Sequence, residues 1–176
     1  MLSADGPPAG EGEPADEAQR ALELAYRYLA PRDRTEAQVA AHLAARGTRP
    51  AVASGCLREL REQGYLDDAR FAHRFAEDRR RLDGWGRERI LRRLREHGVA
   101  DDLASSALGA LGEEAPEDAL GGDPELRAAV AVLCARMRVP PTDDRGRARA
   151  LGLLARRGYE LELAHDAIRR FQAGAA

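Results

Sequence analysis

Three glycines, Gly47, Gly98 and Gly158, sit in the same apolar surroundings, and this recurrence constrains the fold more than any other feature of the chain. Four residues before each stands a leucine: Leu43, Leu94 and Leu154. After each, apolar positions recur in one register: Val52, Leu103 and Leu163; Ala53, Ala104 and Ala164; Cys56, Ala107 and Ala167; Leu57, Leu108 and Ile168; Leu60, Leu111 and Phe171. Within one copy these positions follow the spacing of one buried helix face, and a glycine between two such faces is a natural helix C-cap.

Each copy is preceded by a first helix of similar pattern: Leu24, Ala25, Tyr28, Leu29; Phe71, Ala72, Phe75, Ala76; Ala129, Val130, Leu133, Cys134. β-branched residues are sparse, so few or no strands are expected. The chain reads as all-α: three tandem three-helix, helix-turn-helix-like repeats over 17–66, 67–112 and 123–172. A unit of that size holds too little core to be very stable alone, so neighbours are expected to support each other. Helix starts are signposted by Thr35 with Gln38, a capping-box pair, and by Asp123-Pro124.

Charge separates these repeats from their connectors. Net charge is -2, yet all 28 cationic residues are arginine, and none of them lies in 1–17 or 113–125, which hold five and six acids. Residues 1–16 read as a disordered acidic tail and 113–122 as an acidic linker. No apolar run approaches the ~18 residues of a membrane span, and the N-terminus lacks a basic start with an apolar centre, so a cytoplasmic protein is expected. Cys56 and Cys134 have neither a CxxC spacing nor a histidine at a zinc-ligand interval, which predicts free, packed thiols.

Enzyme chemistry finds no foothold. P-loop, GxSxG and HExxH patterns are absent, and His42, His73, His97 and His165 are scattered one per helix. The adjacent acids Asp67 and Asp68 could suggest a metal or acid-base pair. The same doublet recurs at Asp101-Asp102 and Asp143-Asp144, each time near a predicted helix start, where carboxylates cap free N-H groups and favour the helix dipole. Leu66 and Phe71 then have the spacing of a hydrophobic staple around a cap at Asp67. No catalytic residue, metal site or cofactor is expected.

Between Arg70 and His97 lie ten arginines against five acids. On a helical wheel Arg70, Arg74 and Arg81 fall opposite Phe71, Phe75 and Leu82, and Arg89, Arg92 and Arg93 opposite Ile90, Leu91 and Leu94. Internal ion pairs such as Arg74-Glu77-Arg81 explain part of this charge; the surplus points to an acidic partner, a phosphate backbone or a carboxylate-rich protein groove. Arg79 lies on the apolar side and is expected to clamp a carboxylate. The glycines of "DGWGR" supply the break between two helices, and Trp85 is either a plug between units or an exposed anchor.

"GYLDDARFAHRFAEDRR" followed by "GWGRERILRRLREHGV" resembles the signature of the RecX family, bacterial regulators of the RecA recombinase. The matching positions include Gly64, Tyr65, Asp67, Asp68, Phe71, Arg79, Gly84, Gly86 and Gly98, and the likeness extends over about 18–172. It implies tandem three-helix modules in an elongated, curved body lying in the groove of the RecA filament on single-stranded DNA. It also implies a monomeric negative regulator of recombinase, ATPase and coprotease activities, acting in homologous recombination, DNA repair and the SOS response. Arg70, Arg74, Arg80, Arg81, Arg89, Arg92, Arg93 and Trp85 are the expected contacts to RecA and its DNA filament, with weak contact to single-stranded DNA.

Two other readings compete. Residues 35–66 scan like a helix-turn-helix with a wing, but in the candidate recognition helix Arg58 and Arg61 are balanced by Glu59 and Glu62, and one Gln is the only amide available for base edges. A helical-repeat protein-interaction scaffold is the other alternative.

Overall fold

A computed structural model of the chain describes residues 14–113 and 123–174. These residues form nine helices and no strand: α1 (Pro14–Leu29), α2 (Glu36–Ala44), α3 (Pro50–Glu62), α4 (Asp68–Asp83), α5 (Arg87–Glu96), α6 (Asp101–Glu113), α7 (Pro124–Arg136), α8 (Asp144–Arg157) and α9 (Leu161–Ala173). Helix α1 begins at Pro14, inside the stretch expected to be tail. Proline suits a first helical position, and Asp16 and Glu17 in the first turn favour the positive end of the dipole. The rest of the predicted tail, and residues 114–122 of the predicted linker, lie outside the described residues.

Buried side chains form three clusters, one in each set of three helices. The first joins Ala21 and Ala25 of α1 to Val39, Leu43, Cys56, Leu57 and Leu60. The second packs Ala72 and Ala76 of α4 against Ile90, Leu94, Ala104, Ala107 and Leu108, and the third repeats this with Ala129, Leu133, Leu154, Ala164, Ala167 and Ile168. Leu43, Leu94 and Leu154 are each fully buried, and truncating any of them to alanine costs about 2–5 kcal/mol.

The repeat glycines perform one task three times. Gly47, Gly98 and Gly158 have φ of +76, +81 and +82°, a region open mainly to glycine. The residue after each donates its N-H to the carbonyl of the buried leucine: Thr48 to Leu43 at 3.2 Å, Val99 to Leu94 at 3.0 Å, Tyr159 to Leu154 at 3.2 Å. That is the Schellman closure, which satisfies free carbonyls while turning the chain into the third helix of the repeat.

Helix starts follow the sequence as well. Thr35 accepts from the Gln38 N-H while the Gln38 side chain reaches back to the Thr35 N-H, a complete capping box. Asp123 accepts from Glu125 and Asp143 from Gly146. Asp68 and Asp101 are the first residues of α4 and α6, so each aspartate doublet lies at a helix start.

Cα packing divides the chain into two compact units, with the boundary between Asp67 and Asp68. Helices α1 to α3 make the first unit. The second and third repeats, α4 to α9, together make the other.

Candidate functional site

Helices α4 and α5 carry most of the arginine-rich stretch. Helix α4 sinks its Ala72 and Ala76 stripe onto α6, which leaves Arg70, Arg74 and Arg81 exposed on the far side. Helix α5 buries Ile90 and Leu94, and Arg92 and Arg93 are exposed. Part of that charge is matched locally: Arg81 lies 3.8 Å from Asp78, and Arg92 and Arg93 share Glu96 at 4.0 and 2.6 Å. The Arg93 hydrogen bond holds the Glu96 carboxyl below its ordinary range. Pairs this exposed contribute little to stability, so the face remains open to a stronger anionic partner.

Leu82 departs from the wheel, with 63% of its surface exposed. Its place beneath the last turn of α4 is taken by Trp85. Gly84, φ +62°, turns the chain back, the Trp85 N-H donates to the Arg79 carbonyl at 3.1 Å, and the indole meets Phe75 edge to face at 6.3 Å. Arg79 pairs with Asp83 at 2.5 Å, and its guanidinium centre lies 5.7 Å from both the Phe75 and Trp85 rings. The expected carboxylate clamp is present. Cation-π contact with two rings adds to it.

Arg80 turns away from the outward face. Its side chain, 18% exposed, forms an ion pair with Glu125 of α7, itself 18% exposed. Burial alone would push the guanidinium pKa down, but the hydrogen bond and charge of Glu125 more than offset it and the value ends above the ordinary one. Glu125 also accepts the Arg87 N-H at 2.7 Å. The Arg80 guanidinium centre lies 5.9 Å from the Tyr159 ring, and burial pushes that phenol's pKa up. The geometry therefore makes Arg80 a fastener between the second and third repeats rather than a surface contact.

The backbone reinforces that fastening. A Cβ on Gly86 would lie 2.3 Å from the Gly158 carbonyl oxygen, and one on Gly158 would lie 2.4 Å from the Arg89 Cβ. The Gly86 N-H donates to the Arg157 carbonyl at 2.7 Å, and Arg89 Nη1 donates to the Arg156 carbonyl at 2.7 Å. Gly86 has φ -78°, so its glycine identity answers to close approach rather than to a turn. Arg89 also stacks its guanidinium 4.2 Å over the Trp85 ring. Half-buried Trp85 thus plugs the second core and shows part of its ring at the seam with the third repeat.

Sequence reasoning missed Glu125, which sits in the first turn of α7 at the start of the third repeat, and the meeting of Gly86 with Gly158. Residues so far apart in the chain leave no periodic trace of their contact. Cys134 is another departure: Cys56 is buried with its thiol pKa raised by burial, whereas Cys134 is exposed, because α7 directs Leu126, Ala129, Val132 and Leu133 into the core instead. No group of three His, Cys, Asp or Glu side chains suited to a metal ion occurs among the described residues. No helix among them is long and apolar enough to cross a membrane.

Comparison with known proteins places this architecture. The family model described as RecX, first three-helix domain, matches residues 21–60, and that of RecX, second three-helix domain, matches 67–108. The chain is 35% identical over 165 residues to the regulatory protein RecX of Thermobifida fusca, covering 94% of this chain and 85% of that one. It is 36% identical over 145 residues to that of Chromohalobacter salexigens, covering 82% and 88%. A crystal structure of RecX from Lactobacillus salivarius superimposes with a TM-score of 0.74 at 15% identity, covering 90% of this chain and 99% of that one. Matching domains, full-length relatives and a shared all-α fold agree: the chain belongs to the RecX family of regulatory proteins.

Proposed function

We propose that this protein binds a RecA-type recombinase and its filament on single-stranded DNA in the cytoplasm and restrains recombinase, ATPase and coprotease activities, acting as a monomer without chemistry of its own. The observation that carries the reading is the exposed basic face of Arg70, Arg74, Arg81, Arg92 and Arg93, set on the first two of the three helices that match the second RecX domain. A filament loaded with DNA is a periodic polyanion, and several weak contacts from one repeat chain gain avidity there without a tight single site. The three repeats, bounded near 17–66, 67–112 and 123–172, serve in this reading as successive contact modules.

The test follows DNA-dependent ATP hydrolysis by RecA as substoichiometric protein is added. Inhibition is expected, together with recovery of the protein in a filament pull-down. Neither inhibition nor binding would sink the proposal. Reversing Arg70, Arg74 and Arg81 to glutamate is expected to weaken filament binding while helical circular dichroism is unchanged, and binding that survives would remove this face from the site.

A further inference from the structure

The seam between the second and third repeats holds a second basic feature. Beside Trp85 and Arg89, Arg136 from the end of α7 and Arg156 and Arg157 from the end of α8 line one cleft of about 340 Å³. The exposed Leu82 also lines the cleft. Its lone carboxylate is Asp83, already engaged by Arg79. Among the described residues, none of these four arginines forms an ion pair. Cations at the ends of α7 and α8 do favour the negative ends of those helices. That accounts for arginine at each end, but not for the convergence of both ends on a third helix and an aromatic ring.

We propose that this cleft is a binding subsite for the sugar-phosphate backbone of a single-stranded nucleic acid. The proposal deepens the functional reading above and rests on it for biological setting alone. Guanidinium groups offer donors and no acceptors, and a phosphodiester presents acceptors and no donors. A peptide segment would bring a backbone N-H with every residue into a cleft whose single carboxylate is already engaged. Trp85 and Leu82, flanking the arginines, provide the apolar and aromatic surface on which a base rests while its phosphate is held. The first repeat contributes nothing to the cleft. Its arginines come from two repeats that share one compact unit.

Trp85 is the only tryptophan, so its fluorescence reports on the cleft without a label. Titration of the full chain with an oligothymidylate, with no recombinase present, is expected to change that signal saturably and in a salt-dependent way. Replacing Arg136, Arg156 and Arg157 together by glutamine is expected to weaken binding about tenfold or more, and to flatten the slope of log affinity against log salt by about 2. Replacing Arg147, Arg149 and Arg169 by glutamine removes the same charge elsewhere and is expected to change affinity less than about twofold. Equal losses in both variants would overturn the proposal, as would oligonucleotide binding that leaves Trp85 fluorescence unchanged. A polyglutamate that elicits the same signal at lower concentration than the oligonucleotide would overturn it in favour of an acidic protein. Should the triple variant unfold, the single change of exposed Arg136 to glutamine carries the test, with a smaller loss and a slope change of about 0.7. Absence of oligonucleotide binding with filament inhibition retained would sink this subsite and leave the recombinase reading standing.

Discussion

Replacing Gly86 by alanine adds one methyl group at the point where the second repeat meets the third. The new Cβ would lie 2.3 Å from the Gly158 carbonyl oxygen, 2.5 Å from its carbon and 2.8 Å from the Tyr159 nitrogen. All three are backbone atoms, so no rotamer change can relieve the overlap, and the turn from α8 to α9 must retreat by roughly 1 Å to restore ordinary contact. Overpacking of this kind costs about 1–3 kcal/mol. Retreat also stretches the hydrogen bond from Gly86 to Arg157, now 2.7 Å, at a further cost of about 0.5–1.5 kcal/mol. Gly86 has φ -78°, which alanine adopts freely, so backbone strain adds nothing and the loss of unfolded-state entropy returns about 0.4–1 kcal/mol. The net expectation is destabilisation by about 0.5–4 kcal/mol. Urea unfolding read by Trp85 fluorescence isolates the unit that contains the junction, and far-UV circular dichroism follows all helices together. Gly109, inside α6 with no atom near a would-be Cβ, is the matched control, and alanine there is expected to stabilise by about 0.5–1 kcal/mol. A Gly86→Ala midpoint at or above that of the unmodified protein would refute the close-approach argument.

Other perturbations follow from the same geometry. Glu125→Ala leaves Arg80 largely buried without its partner and is expected to cost about 3–5 kcal/mol in the fluorescence-detected transition, and Arg80→Met combined with Glu125→Leu is expected to recover much of it. Thr35→Ala removes the fully buried hydroxyl that caps α2 and is expected to cost about 1 kcal/mol, measured by urea unfolding followed by circular dichroism. His42 stacks on Tyr28 at 3.8 Å, and burial, then the charges of Arg46 and Arg34, hold its pKa below the ordinary 6.5. Its stabilising contribution is therefore full above 6.5 and lost as pH falls through the lower folded value. Stability measured from pH 7.5 downward is expected to decline in the unmodified protein and to decline less in His42→Gln over the same window.

The repeat core was readable because period and register are local properties. Each of Leu43, Leu94 and Leu154 announces its burial through neighbours a few residues away, and each glycine after it closes the helix in the same way. Arg80 was not readable, since a helical wheel assigns a direction and Glu125 supplies the destination. Leu82 misled for a related reason. Its apolar character matched the wheel, but the space beneath it is claimed by Trp85 once Gly84 turns the chain. Cys134 shared an apolar column with Leu29 and Ala76, yet a small side chain at the edge of a stripe need not reach the core. The outward positions of Arg70, Arg74, Arg92 and Arg93 followed from what their neighbours bury.

The fastening of the second repeat to the third decides how this protein can be dissected. A chain cut after α6 would leave the Arg80 cation half submerged with no carboxylate, the Gly86 amide without the Arg157 carbonyl, and Arg89 without the end of α8. Such a fragment contains every residue of the signature that identifies the family, yet it lacks the groups that complete their bonding. The second and third repeats share one compact unit, so a piece that keeps these bonds has to extend through α9. What the alignment of domains presents as a detachable module is, in bonding terms, one half of a single object.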